Sequence, residues 1–360
     1  MSSDLPDLRE HVPLAPLTTI GIGGEARWFL EAPSIEVVQA GLEWAARRGV
    51  PLFVLGGGSN VLIADDGFDG LVLRNRIEGI EETPKDDSML VRVGAGVDWD
   101  PFVALAVERG WAGIETLSGI PGSVGATPIQ NVGAYGQEVS ETIVNVEALE
   151  RTSGRLRIFS REECRFDYRH SIFKEEAKDE FVVVAVHFEL TPGGKAALRY
   201  PELKRTVEER FGNDPSLSEV REAVIAIRKR KGMVIDATDP DSRSDGSFFM
   251  NPILTLPELQ QFLERALAAD PALKADEIPT FPAGEARVKL SAAWLIEHAG
   301  FTRGYGDGPV GLSSKHTLAI VNRGGGTAVD VLRLVAEIQK RVANRFGVAI
   351  RPEPNFIGFS

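Results

Sequence analysis

Three consecutive glycines, Gly56, Gly57 and Gly58, followed by Ser59 and Asn60, come directly after the apolar run at 52–55. Glycine loses more backbone freedom on folding than any other residue, so such a run implies unusual dihedrals or a close backbone approach. Successive exposed N–H groups in a turn form a nest suited to a phosphate; a tight connecting loop is the plainer alternative. A second segment says more. Residues 113–136 (GIETLSGIPGSVGATPIQNVGAYG) hold six glycines and two prolines in 24 residues, with Glu115 as the single charge. A solvated loop would carry more charge, and loops of this length are uncommon unless functional. The small residues with Ser118, Ser123, Thr127, Gln130 and Asn131 suit main chain wrapped around a large polar ligand, and the Ile, Val, Leu and Tyr content argues against a disordered linker.

Other groups are ambiguous in isolation. Ser247 lies in GSFFMNP, outside any G-x-S-x-G elbow, so it is either a turn-capping serine or a proton donor positioned in a partly dry site. Arg169 in DYRH is a carboxylate clamp or half of a surface ion pair, and Glu353 in RPEPN is a site acid or a solvated tail residue. The residues alone favour the surface reading for Arg169 and Glu353. Residues 21–26 (GIGGEA) match G-x-G-x-x-A, but Pro13 and Pro16 occupy the place of the buried strand that a dinucleotide fingerprint requires, so this motif is set aside. No phosphate-binding G-K-[ST] loop occurs. The five histidines (His11, His170, His187, His298, His316) have no metal-binding spacing, so no metal is expected.

The elements that must position these groups follow from pattern and breakers. Residues 34–49 read as a helix with Ser34 at its cap and Gly49 at its end. Short strands are expected at 52–55, 61–63 and 71–73, the last two joined by the turn Asp65-Asp66-Gly67. From about residue 77 a strand at 90–93 and a helix at 101–109 precede the glycine-rich segment. Strands at 144–149, 156–159 and 181–190 come after it. Pro192-Gly193-Gly194 is the best linker candidate. Beyond Tyr200 the chain becomes helical, at 217–230, 256–269, 291–299 and 327–346, the last with Thr327 and Asp330 at capping-box spacing.

At 360 residues, two or three domains are expected. The net charge of −12, without a long single-sign block, argues against a nucleic-acid or anionic-membrane partner but not against a phosphorylated ligand. Cys164 is the single cysteine, which excludes an internal disulfide and a cysteine-ligated cluster. No leader is readable in the first residues and no stretch approaches a membrane span of ~20 apolar residues, so a cytoplasmic protein is the expectation.

Seven segments in order, GIGGEA, LGGGSNVLIAD, SGIPGSVGATPIQNVGAYGQEV, FDYRHSIF, GSFFMNP, KLSAAWLIEHAGF and RPEPNFIG, resemble the UDP-N-acetylenolpyruvoylglucosamine reductases (the MurB family) over nearly the whole chain. The resemblance implies an α+β fold: a two-lobed FAD-binding domain of the vanillyl-alcohol-oxidase type (1–76 and 77–214), an α/β substrate domain (215–350) and a tail (351–360) returning to the active site. It implies non-covalent FAD held by Gly56, Gly57, Gly58, Ser59 and Asn60, and by Gly119, Pro121, Gly122, Ser123, Gly125, Ala126, Gln130, Asn131, Gly133, Ala134 and Tyr135. Tyr200, Lys231, Asn251, Lys289 and His316 would grip UDP-N-acetylglucosamine enolpyruvate. The implied reaction of peptidoglycan precursor synthesis uses NADPH, passes hydride from flavin N5 to C3 and a proton from Ser247 to C2, and leaves Arg169 and Glu353 to manage charge on the carboxylate. The chain has Thr18-Thr19 where many members have Asn-Thr, and Met250 where many have lysine. A monomer is expected. An FAD oxidase of the same fold and a non-catalytic nucleotide-sugar binder are the rival readings.

Overall fold

The computed structural model describes Leu5 and residues 7–359. Residues 1–4 and 6, part of the stretch in which no leader was read, lie outside the described residues. The chain forms two compact units, both discontinuous. The first comprises the residues up to Pro13, Glu25–Gly58 and Phe68–Arg230; the second comprises Leu14–Gly24, Ser59–Gly67 and the chain from Lys231 onward.

In the first unit, helix α1 (Ile35–Arg48) starts where Ser34 accepts a hydrogen bond from the Val37 N–H and stops at Gly49, whose φ of 63° is left-handed. Its face of Val38, Leu42, Trp44 and Ala45 is buried. It lies on a sheet ordered Arg9–Pro13, Glu25–Ala32, Phe68–Asn75, Leu52–Leu55, the last three parallel. A larger antiparallel sheet runs Leu156–Ser160, Ile143–Glu150, Phe181–Pro192, Ser88–Gly94, Ile80–Lys85. Helix α2 (Trp99–Glu108) covers it with Trp99 and Phe102, whose rings lie 5.9 and 5.2 Å from Phe188. Helices α3 (Pro201–Phe211) and α4 (Leu217–Arg230) bury Leu203 and Val207 with Val220, Val224 and Ile227. That shared apolar face keeps α4 in the first unit, so the unit ends at Arg230 rather than near the expected 215. Pro192-Gly193-Gly194 is also no free linker. Pro192 ends a strand, the Gly193 N–H donates to the Gly110 carbonyl, and Gly194 packs on Ala112 and Thr191.

In the second unit, helices α5 (Leu256–Ala269), α6 (Ala292–His298) and α7 (Ala328–Phe346) share a core in which Trp294 lies 6.1 Å from Phe262 and 5.6 Å from Phe346, centroid to centroid. The expected capping box of α7 is present: the Thr327 side chain accepts from the Asp330 N–H, and the Asp330 carboxylate accepts from the Thr327 N–H. The strands at 61–63 and 68–75 both form but do not pair with each other. Val61–Ile63 runs parallel to Asn355–Ile357 in the second unit, while Phe68–Asn75 sits inside the sheet of the first. Residues 21–24 lead into the strand Glu25–Ala32 instead of following a strand and opening a helix, which the dinucleotide fingerprint would need. Three short antiparallel strands, Ile253–Thr255, Arg287–Leu290 and Thr280–Pro282, were not legible in the sequence.

Candidate functional site

In the first unit the two glycine segments meet backbone to backbone. A Cβ on Gly57 would lie 2.5 Å from the Gly122 Cα and 3.1 Å from the Ser123 N, and one on Gly56 would lie 2.6 Å from the Ser123 Oγ. Gly57 meets backbone and tolerates no side chain, whereas at Gly56 a Cβ would have to displace the Ser123 hydroxyl; the close approach of the loops therefore depends on glycine at 57 and 122. Gly58, Gly119 and Gly122 have φ of 64°, 73° and 123°, where a Cβ is strained. The second loop is tied down from beneath. The Gly122 carbonyl accepts from the Trp99 N–H, and the Val124 and Gly125 N–H groups donate to Val97 and Ala95. Asp100, in the first turn of α2, accepts from the Gly119 N–H at 2.6 Å and takes both arms of the Arg221 guanidinium at 2.6 and 2.9 Å. Burial opposes ionisation of Asp100, but the hydrogen bonds from Arg221 and Gly119 prevail and hold it below the usual range.

The loop closes in a hairpin, Gly133–Ala134 with Gln137–Glu138, turned through Tyr135 and Gly136 at φ of 52° and 82°. Two positive φ values in a two-residue turn are the type I′ requirement, and a tyrosine there is strained. Burial pushes the Tyr135 hydroxyl up to about 12, opposed by the nearby Arg228 guanidinium, to which it is hydrogen-bonded. Its ring lies edge-on to Tyr200, 5.6 Å away. Asn131 is buried and its amide is engaged: it donates to Glu138 and to the Asp167 carbonyl and accepts from the Ser140 N–H. It therefore fastens the loop to the turn carrying Arg169. That turn closes by reciprocal bonds between Asp167 and His170, leaving Arg169 at φ 54° with a guanidinium N–H donating to the Gly133 carbonyl at 2.9 Å. A non-glycine residue held in this region inside an over-determined turn is the kind of strain found at functional sites.

The second unit gathers another set. The tail pairs with the segment after Ser247: the Glu353 N–H donates to the Phe248 carbonyl at 2.9 Å, the Met250 N–H to Arg351 at 3.0 Å, and Phe249 faces Pro352 across an isolated bridge. Phe248 and Phe249 are buried in the core beneath, so the turn carrying Ser247 and the segment carrying Glu353 stand side by side on a buried base. Asn60 joins them: its side chain donates to the Glu353 carbonyl at 3.5 Å, and its own carbonyl accepts from the Asn355 N–H. Asn251 accepts from the Ala292 N–H at the start of α6 at 2.8 Å, which leaves its NH2 group to donate. Lys289 stands in register between Ile253 and Phe281, both about two-fifths exposed at 40% and 42%. His316 lies in the loop that also supplies the Leu318 carbonyl to the Phe248 N–H. Lys231 opens this unit's last segment. Among the described residues, no group of three or more His, Cys, Asp or Glu could hold a metal ion.

Residues 239–357 match the family model for the UDP-N-acetylenolpyruvoylglucosamine reductase C-terminal domain, and residues 26–160 match an FAD binding domain. A UDP-N-acetylenolpyruvoylglucosamine reductase of Thermobifida fusca is 49% identical over 351 residues, covering 97% of each chain. One of Streptomyces coelicolor is 49% identical over 348 residues, 96% of this chain and 89% of its own. The chain belongs to the UDP-N-acetylenolpyruvoylglucosamine reductase family. A crystal structure of the reductase (MurB) from Thermus caldophilus is similar with a TM-score of 0.63 at 25% identity, covering 97% of this chain and 99% of that one.

FAD is the cofactor of this family's first domain, and the residues present fit it. The first unit provides an uncharged, glycine-built cradle whose close approaches a single Cβ would block. Sequence reasoning missed several residues around these family segments. Asp100, Arg221 and Arg228 brace the second loop, but on the page they look like ordinary helix-surface charges. Phe281 sits in a short strand too weakly patterned to read. Thr18 spends its hydroxyl locally, against the Ala15 and Ile22 carbonyls and the Ile22 N–H.

Proposed function

We propose that this chain reduces UDP-N-acetylglucosamine enolpyruvate to UDP-N-acetylmuramate, with non-covalent FAD as cofactor and NADPH as electron donor. The observation that carries the reading is the hydrogen bond between the Glu353 N–H and the Phe248 carbonyl, which joins GSFF to the terminal glutamate in one layer of the second unit. An oxidase has no need of a hydroxyl donor and a carboxylate arranged in this way.

When bound, FAD supplies the hydride, drawn from NADPH, that adds at C3 of the enolpyruvyl group. The chain's own part is to hold and to protonate. Residues 56–60 and the segment 119–135 would line the diphosphate and ring system, with the Gly119, Val124 and Gly125 N–H groups bracing the loop within the protein. Arg169 stabilises negative charge on the substrate carboxylate as a fixed cation, and Glu353 orients the same group. Ser247 gives its hydroxyl proton to C2; serine is a weak acid, so this works only against a strongly basic carbon in a site poor in water. Tyr200, Lys231, Asn251, Lys289 and His316 hold the nucleotide sugar, with Phe281 offering an apolar face beside Lys289. NADPH and sugar nucleotide take turns, which gives parallel initial-velocity lines. The enzyme is a cytoplasmic monomer in this reading; no described helix is long and apolar enough to cross a membrane.

The test is anaerobic and visible. NADPH should bleach the flavin of the purified protein, and the enolpyruvyl sugar should restore its colour. Ser247→Ala should bleach normally yet recover at least about a hundred times more slowly. Recovery at the wild-type rate in that variant would remove Ser247 from its role. Protein that takes up no FAD would overturn the whole reading.

A further inference from the structure

Two residues before Ser247, the reaction as described leaves a carboxyl group unused. Asp245 is buried, 6% exposed. Its Oδ2 is buried with no hydrogen-bond partner, and its Oδ1 lies 3.2 Å from the Thr19 hydroxyl. The same hydroxyl lies 2.8 Å from the Ser244 carbonyl. A carbonyl can only accept, and threonine has one hydroxyl hydrogen, so the shorter contact commits that hydrogen to Ser244. The remaining contact is then satisfied if Asp245 itself carries a proton and donates it to the Thr19 oxygen. An ionised carboxylate would instead compete for the committed hydrogen and leave a charged oxygen buried without a partner, which is costly.

We propose that Asp245 works as a neutral carboxylic acid whose hydrogen bond to Thr19 fixes the Gly246–Ser247 turn, making it a positioning residue for proton delivery. The turn needs such an anchor. Gly246 adopts φ 71°, its N–H reaches only the Ser244 Oγ at 3.3 Å, and the next main-chain tether is the Phe248 N–H to Leu318. Burial pushes the Asp245 carboxyl up to about 8; a Thr19 hydroxyl donating to the carboxylate would pull it down, and commitment of that hydrogen to the Ser244 carbonyl removes this opposition. The segment 14–24 that supplies Thr19 carries no charged residue. The charged or titratable side chains on the other neighbouring segments are Asp241 and Arg243, Lys315 and His316, Arg323, Arg351 and Glu353. None of them exerts a resolved influence on Asp245, which responds to burial and Thr19 alone.

The proposal rests on Ser247 as the proton donor, and the experiment separates the two. Wild type, Asp245→Asn, Asp245→Ala and Ser247→Ala are reduced with NADPH and mixed with the enolpyruvyl sugar across pH 6–10. In wild type the recovery rate should fall as pH rises through about 8. Asparagine keeps a donor that cannot ionise, so Asp245→Asn should stay within about threefold of wild type at pH 7 and lose the alkaline fall. Asp245→Ala should be slower than wild type by about tenfold at pH 7, the worth of one hydrogen bond of ~1.4 kcal/mol, and should lack the alkaline fall, so that the gap closes above about pH 8. Bleaching by NADPH should be the same in all four. The infrared band of a protonated carboxyl should be present at neutral pH in wild type and missing from Asp245→Asn. An unchanged alkaline fall in Asp245→Asn, or a missing band in wild type, overturns the proposal even if Ser247→Ala is inactive. A fully active Ser247→Ala removes the Ser247 reading, and the proposal with it.

Discussion

Gly57 and Gly49 show how two glycines can matter for different reasons. Gly49 has φ 63° and nothing within 4 Å of its missing Cβ, so alanine there meets only conformational strain of about 1 kcal/mol. Gly57 is not in the left-handed region, but its Cβ would lie 2.5 Å from the Gly122 Cα, against backbone that cannot rotate away. Gly57→Ala should therefore separate the two loops. The expected result is protein that purifies with little flavin, read as the ratio of visible to ultraviolet absorbance, while Gly49→Ala keeps its colour and loses only some thermal stability. A fully coloured Gly57→Ala would mean that the cradle tolerates opening. Cys164 marks the opposite end of the scale. It is buried and its thiol is pushed up to about 12 by that burial, so it packs as a small apolar residue and takes no part in redox chemistry.

Between elements, Asp65 is the instructive residue. It ends the segment LGGGSNVLIAD, which reads as a cofactor motif, yet its carboxylate accepts from the Ala328 and Val329 N–H groups at 2.7 and 3.1 Å. These are the first two N–H groups of α7, left without partners inside the helix, and the positive end of the helix dipole lies there. The motif thus has two structural parts: its glycines let the first loop close against Gly122, and its aspartate caps a helix far along the chain. Asp65→Ala should cost about 1–2 kcal/mol, seen as a lower urea midpoint, because Thr327 and Asp330 still cap the remaining N–H groups. Flavin content and turnover per folded molecule should be unchanged. Lost turnover at full folding would place Asp65 in the site instead. The local signals at Ser34, Gly49, Thr327 and Asp330 made α1 and α7 legible to within a residue, since capping is written in adjacent positions. The strands at 253–255, 280–282 and 287–290 were not, because strands of three or four residues leave little periodicity to read.

For the molecule as a whole, what stayed hidden was contact between residues remote in sequence. Both units are interrupted, at Pro13–Leu14, Gly24–Glu25, Gly58–Ser59 and Gly67–Phe68, where neither composition nor charge changes enough to mark a boundary. The order of the family segments carried the identity, but Asp245 in RSDGS reads as a solvated turn until Thr19, 226 residues away, is seen to bury it. Glu147, in the strand Ile143–Glu150, is equally ordinary on the page. The structure gives it two bonds of 2.8 Å from Arg92 and one contact of 2.6 Å with His187. Two opposing pH dependences follow. The Arg92 hydrogen bonds, against partial burial, hold Glu147 below its usual 4.5, so its contribution is complete above that value and is lost as pH falls through the lowered one. Asp245 has the reverse sign. It is held neutral up to about 8 against an unfolded value of 3.8, so between these pH values the folded chain binds the extra proton and stability declines as pH rises, by at most about 1.4 kcal/mol per pH unit. The thermal midpoint of the holoenzyme should accordingly peak on the acid side of neutrality. Glu147→Gln should flatten the acid limb alone, and Asp245→Asn should flatten the decline toward pH 8 alone. If Asp245→Asn follows the wild-type curve over that interval, the carboxyl is already ionised in the folded protein, and Thr19 must be giving its hydrogen to Asp245 rather than to Ser244.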